Sequence, residues 1–156
     1  MGEEAAGMAS QMPKQGSFCW TEFACTDVSK CKPFYENVFG WNFKSSENAG
    51  NEMQYLEFSS SGEPYPDAAL YEIKPEMFEG TVPPAPHIAV YVSVDDVDAS
   101  CEQAKSLGGT LVFGPYDIPR VGRMAVVTDP SGANISLITL QPHGSDREIV
   151  NGQHGY

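Results

Sequence analysis

Glu22, His87 and Arg123 are the side chains of this 156-residue chain whose types and places suit proton transfer or ligand capture. Glu22 lies on an alternating apolar run; buried against an apolar wall, it would hold its proton more tightly and serve as a base. In water, or paired with Arg123, it would be an ordinary strand-end carboxylate. His87 follows Pro86 where a strand begins, a position that equally suits a histidine bonded to backbone or solvent. Arg123 opens the run leading to Asp129 and can grip an anionic or carbonyl group, or serve as an ion-pair partner in an acidic protein. Trp20, Tyr71 and Tyr91 are candidates to stack on a flat ligand, with core packing as the alternative use of the same rings.

Other chemistries find no support. No G-x-G-x-x-G follows a strand-like run, so dinucleotide binding is not expected. No G-x-S-x-G and no Cys–His grouping points to a hydrolase. Cys19, Cys25, Cys31 and Cys101 form no C-x-x-C pair. They are spaced too widely for a zinc site, so reduced thiols are expected, with Cys31 and Cys101 packed as small hydrophobes on helices. The formal charge of −12 repels phosphate backbones and anionic lipid, which argues against nucleic-acid or membrane partners. No run of about 20 apolar residues is present. The opening MGEEAAGMASQMPKQG lacks a secretory pattern, Ala6 does not suit myristoylation, and the expected location is cytoplasmic. Without export, the N-I-S at 134–136 carries no meaning as a glycosylation acceptor.

The elements that position these residues follow from a repeat. FCWTEFACTDVSKCKPFYENVFGW, from Phe18, matches HIAVYVSVDDVDASCEQAKSLGGT, from His87, at a constant offset of 69 residues. Each copy reads as an alternating strand, an acidic helix cap, an amphipathic helix and a glycine stop. Phe18, Trp20, Glu22 and Ala24 share one strand face, as do His87, Ala89, Tyr91 and Ser93. Asp27 and Asp96 are expected to cap the helices. The helices are expected to bury Val28, Cys31, Tyr35 and Val38 in the first copy, and Val97, Cys101, Ala104 and Leu107 in the second. Gly40 and Gly108–Gly109 supply left-handed stops. Pro33 predicts a distorted or late-starting first helix.

Three further strand-like runs follow each helix, at 41–44, 52–58 and 67–73, then at 110–113, 122–128 and 133–140. Asp129-Pro130-Ser131-Gly132 is a turn between the last two. Each half is therefore β-α-β-β-β, and the fold class is α+β. The expected organisation is a mobile tail over 1–15, module one over 16–73, a proline-rich linker over 74–86, module two over 87–140 and a second mobile tail over 141–156. The tails hold the remaining histidines, His143 and His154.

This order, with FYENVFGW, YVSVDDVDAS, LGGT and GRMAVVTDPSGA, resembles the vicinal oxygen chelate superfamily over residues 16 to 140. That group includes glyoxalase I, bleomycin-resistance proteins and extradiol dioxygenases. The resemblance implies paired modules around a cleft for a small molecule and, by analogy, a homodimer. Catalytic members hold a divalent metal on first and last strands, as a Lewis acid for two neighbouring substrate oxygens. The corresponding positions here are Trp20, Ala89, Ala69 and Ser136, and none is a plausible ligand for such an ion. A shift of two residues along the same strand faces offers Glu22, His87 and Glu72 as a fallback set.

The expected function is a glyoxalase-like protein that binds a small organic molecule without the usual metal or another cofactor. Its expected pocket residues are Trp20, Glu22, Tyr71, His87, Tyr91, Arg123 and Ser136, with Glu22 as the catalytic candidate. One alternative is a metal-dependent lyase, isomerase or dioxygenase with a displaced site. Another is a non-catalytic interaction or structural subunit whose cleft is filled by side chains.

Overall fold

Strand β1 occupies Phe18–Cys25 in the computed structural model, which describes residues 12–46 and 54–141. The chain divides into two compact units, one over Trp20–Tyr91 and one formed by Val92 onward with the segment before Trp20. β1 is followed by helix α1 (Val28–Phe39), β2 (Lys44–Ser45), β3 (Tyr55–Phe58), β4 (Ala68–Glu72), a 3-10 turn (Pro75–Phe78) and β5 (His87–Ser93), all in the first unit except the first two residues of β1 and the last two of β5. The strands lie in the order β2-β3-β4-β1-β5. β1 runs parallel to β4, placing Glu22 beside Ala69 and Cys25 beside Glu72, while β3 is antiparallel to β4 with Tyr55 opposite Tyr71.

Period-two alternation then sorts the side chains onto two faces. Phe23, Cys25, Leu56, Phe58 and Leu70 pack beneath α1 with Val28, Cys31 and Tyr35. Trp41 stacks on Phe58 at 4.5 Å between ring centroids, and Phe23 meets Tyr35 edge-on at 5.3 Å. Trp41 and Phe43 thus serve this core, and the strand expected over 41–44 is confined to Lys44–Ser45. The face away from α1 receives Trp20, Glu22, Tyr55 and Tyr71.

The second unit holds α2 (Val97–Ser106), β6 (Thr110–Ile118), β7 (Gly122–Thr128) and β8 (Asn134–Leu140), with strands in the order β8-β7-β6. Val97, Cys101, Ala125, Val127 and Leu137 form its core. Backbone bonds tie the N-terminal segment into this unit: the Gly16 N–H donates to the Ser93 carbonyl at 2.7 Å, and the Ser93 N–H to the Ser17 carbonyl at 2.8 Å. β6 continues past the expected end at 113, because register shifts on either side of Phe113 carry it through Gly114 and Pro115. The Asp129 turn forms as read, with Oδ1 accepting from the Ser131 N–H at 2.8 Å and the Ala133 N–H at 3.0 Å. The expected tails lie mostly, and residues 52–53 of the third strand wholly, outside the described residues. No helix among the described residues is long and apolar enough to cross a membrane.

Four details correct the sequence reading. α1 starts at Val28 and continues through Pro33. The carbonyl that loses its donor belongs to the exposed Ser29, so water can replace the missing bond. Val38 is 54% exposed and Leu107 68%, because both lie near or beyond the helix ends, where no strand covers them. Gly109 serves close packing instead of a left-handed stop: a Cβ there would meet the Thr128 carbonyl oxygen at 2.3 Å. The two aspartates also part company. Asp96 Oδ1 accepts from the Ala99 N–H at 3.1 Å, but Asp27 makes no cap bond and instead accepts from the Ser29 hydroxyl. The Val28 N–H donates to Glu72 Oε1 at 2.9 Å, since β4 ends beside the helix start. Asp96→Ala should therefore cost about 1 kcal/mol in urea unfolding and Asp27→Ala less than about half of that.

Candidate functional site

Glu22 is held by two phenols. The Tyr55 hydroxyl donates to Oε2 at 2.6 Å, and the Tyr91 hydroxyl donates to Oε1 at 2.9 Å. Trp20 completes the chain through its indole N–H, which donates to the Tyr55 oxygen at 3.0 Å. Tyr71 lies nearly parallel to Tyr55, with ring centroids 6.1 Å apart. All five residues belong to the Trp20–Tyr91 unit. The repeat explains part of this arrangement: Glu22 and Tyr91 occupy equivalent positions, 69 residues apart, and meet side chain to side chain.

The electrostatics follow from burial. Enclosure by aromatic rings pushes the Glu22 carboxyl above its usual range, against the two phenol hydrogen bonds and a smaller pull from the His87 charge. Burial and the adjacent Glu22 charge drive the Tyr55 phenol far upward, so it remains a proton donor at ordinary pH. Each carboxylate oxygen accepts one phenol and retains capacity for a further hydrogen bond. The arrangement can therefore hold a polar N–H or O–H of a ligand, or take up a proton, beside stacked aromatic surface.

Of the other expected residues, His87 lies near enough for its charge to act on Glu22, while Arg123 and Ser136 belong to the second unit. His87 is exposed, with Nδ1 2.8 Å from the Ala85 carbonyl oxygen. Arg123 lies in the second unit and is held by carboxylates. Nε and Nη2 donate to Asp98 at 2.7 and 3.0 Å, and Nη1 donates to Asp117 at 3.2 Å. Those bonds hold the guanidinium charged and draw the Asp98 carboxyl below its usual range. Ser136, in the same unit, is 3% exposed and pairs with Val126. The regular β7–β8 register sends Ser136 and Arg123 to opposite faces. Tyr55 is the residue that sequence reasoning missed. Its only signal was alternation with Glu57 on a short strand; no motif marks it.

A divalent ion of the kind held by catalytic relatives needs about three protein ligands of imidazole or carboxylate type. Glu72 is spent on the α1 cap and sits on the strand face opposite Glu22. Ala69 and Ala89 offer no donor. Among the described residues, no group of three or more His, Cys, Asp or Glu side chains gathers. These side chains do not fit such an ion.

Comparison with known proteins agrees with the architecture. The chain is 34% identical over 130 residues to the putative glyoxylase CFP32 of Mycobacterium tuberculosis, covering 83% of this chain and 48% of that protein. It is 32% identical over 130 residues to the anthracycline biosynthesis protein DnrV of Streptomyces peucetius, covering 78% and 46% respectively. The chain thus spans about half the length of these curated relatives. In fold it is similar to methylmalonyl-CoA epimerase from Mycobacterium tuberculosis, with a TM-score of 0.54 at 16% identity over 86% of this chain and 96% of that one. A superfamily member from Vibrio splendidus 12B01 gives a TM-score of 0.53 at 12% identity, covering 79% and 99%. The family profile matches residues 17–137, nearly all of the repeat and both its modules, and the chain belongs to the Glyoxalase/Bleomycin resistance protein/Dioxygenase superfamily.

Proposed function

We propose that this domain binds a planar organic molecule, neutral or cationic, on the strand face that carries Trp20, Glu22, Tyr55, Tyr71 and Tyr91, and that it does so without a metal. The observation that supports this reading is the Glu22 carboxylate, positioned by two phenols among aromatic rings. Aromatic walls with few, well-placed polar groups are the usual make-up of small-molecule sites. A carboxylate beside ring faces favours an ammonium or an N–H donor over an anion. Glu57 adds a second carboxylate on the same face, opposite Lys44 of the edge strand.

The net charge of −12 argues against the ligand class of one group of fold neighbours. A Streptomyces coelicolor epimerase of this fold was solved with 2-nitronate-propionyl-CoA. Such a ligand carries several phosphate charges, which the −12 net charge here would repel. The Streptomyces peucetius relative is named for anthracycline biosynthesis, and an anthracycline, a fused-ring molecule bearing an amine, has the planarity and charge that this face favours.

Daunorubicin and propionyl-CoA are suitable opposing probes. Titration calorimetry is expected to detect daunorubicin binding and to find propionyl-CoA weaker. Glu22→Gln and Tyr55→Phe should each weaken daunorubicin binding by about 10-fold or more, the scale of one charged hydrogen bond. Tighter binding of propionyl-CoA, or tight stoichiometric uptake of Ni²⁺, Zn²⁺, Mn²⁺ or Fe²⁺ by purified protein, would overturn the reading.

A further inference from the structure

On the α1 side of the first unit, a groove of about 360 Å³ has a lining that includes Phe23, Cys25, Cys31, Tyr35, His87 and Ile88. Two of the nine residues lining it are cysteines, and neither is in a disulfide. Cys25 ends β1 and is 6% exposed, and its S–H donates to the Tyr71 carbonyl at 3.4 Å. Cys31 lies in the first turn of α1 and is partly exposed. Both thiols line the same groove, Cys25 from the end of β1 and Cys31 from the start of α1. Neither the strand face described above nor the repeat uses this pair, since the second module has Cys101 at a helical position and Val94 at the strand end.

We propose that Cys25 and Cys31 form a hydroperoxide-reactive dithiol, in which Cys31 accepts oxygen and Cys25 closes a disulfide. The Cys31 sulfur attacks the terminal peroxide oxygen and the O–O bond breaks. Cys31 becomes a sulfenic acid, and the hydroperoxide leaves as an alcohol, or as water from hydrogen peroxide. The Cys25 sulfur then displaces the sulfenic hydroxyl, which leaves as water with the Cys25 proton. Two thiols are oxidised by two electrons and one peroxide is reduced by two, so the step needs no other reactant.

The environments assign the roles. Cys31 faces the groove, where a small peroxide can reach it. Burial pushes the Cys25 thiol up to about 11, with the neighbouring Cys31 adding to the effect. A buried, protonated thiol is a poor first nucleophile, but on the same groove wall it is placed to resolve a sulfenic acid formed at Cys31. The bridge would join the end of β1 to the first turn of α1, which the groove already brings together.

The test uses the full chain carrying Cys19→Ser, treated with hydrogen peroxide, unfolded, alkylated and digested with trypsin. Cleavage after Lys30 separates the two cysteines, and Pro33 protects the bond after Lys32. The expected result is a cross-linked pair of peptides, 15–30 with 31–44, lighter by two hydrogen atoms than the sum of the free peptides, from protein that runs as a monomer. With Cys25→Ala added, the cross-link should vanish and Cys31 should proceed to sulfinic acid. Should that second variant fail to fold, the Cys19→Ser chain decides alone. The proposal is overturned if folded Cys19→Ser protein yields no such pair, or if the link appears only between chains.

Discussion

Leu70→Ala is expected to lower the unfolding free energy by about 3 kcal/mol, within the range of about 2–5 kcal/mol for a leucine truncated in a closed core. Leu70 is fully buried on β4, opposite Leu56 and beside Phe23 of β1, in the layer that α1 covers. Its removal forfeits the transfer of an isobutyl group from water and leaves a cavity. The surrounding aromatic rings are stacked and edge-packed on one another, so they cannot collapse freely to fill that cavity. Val38→Ala, on the same unit's helix but 54% exposed, should change stability by less than about 0.5 kcal/mol. Urea unfolding monitored by circular dichroism checks both, with the midpoint moving and the slope unchanged. A loss below about 1 kcal/mol for Leu70→Ala would show that this layer is not closed as described. Leu70 is flanked in sequence by Ala69 and Tyr71, which face the candidate site, so the same change should loosen daunorubicin binding.

Helix and strand placement was legible because the offset of 69 residues compares each module with the other. Alternation along FCWTEFAC and HIAVYVS put Glu22 and Tyr91 on equivalent faces, and those two side chains do meet. Tyr55 was out of reach of the same reasoning. Its contribution depends on β4 lying between β3 and β1, a pairing that local periodicity does not encode. Arg123 illustrates the same limit. Its partners stand 25 residues before it and 6 before it, on a helix and the adjacent strand, and only the fold distinguishes that clamp from a free ligand-binding guanidinium. The Asp27 cap failed because its carboxylate accepts from the Ser29 hydroxyl instead, while a carboxylate from β4, distant in sequence, accepts the Val28 N–H that an N-cap side chain does not reach. Helical spacing correctly chose the inward stripe through Val28, Cys31 and Tyr35. It could not foresee that Val38 and Leu107 extend beyond what the strands cover.

Glu22→Gln is expected to abolish one pH-dependent loss of stability. The folded Glu22 carboxyl binds its proton more tightly than the unfolded one, because burial penalises the charged form by more than the phenols and His87 favour it. Between the ordinary carboxylate value and the raised one, the native state holds a proton that the unfolded state has released. Unfolding then becomes easier as pH rises through that window, by about 1.4 kcal/mol for each unit of elevation, and the loss persists above it. Glutamine removes the titration but can still accept from one phenol. The variant should therefore gain on the wild type as pH rises from about 4 to about 8, after both are corrected for the shared drift of a highly acidic chain. Tyr55→Phe and Tyr91→Phe each delete a donor that favours the charged carboxylate, so either should steepen the wild-type fall. Because Tyr55 also accepts the Trp20 indole N–H, its phenylalanine variant leaves a second group short of a partner and should be the less stable of the two at every pH. Unfolding curves across this pH range decide the matter: parallel profiles for wild type and Glu22→Gln would mean that Glu22 titrates like a solvent carboxylate, and the phenol-bound site would lose its proton-accepting role.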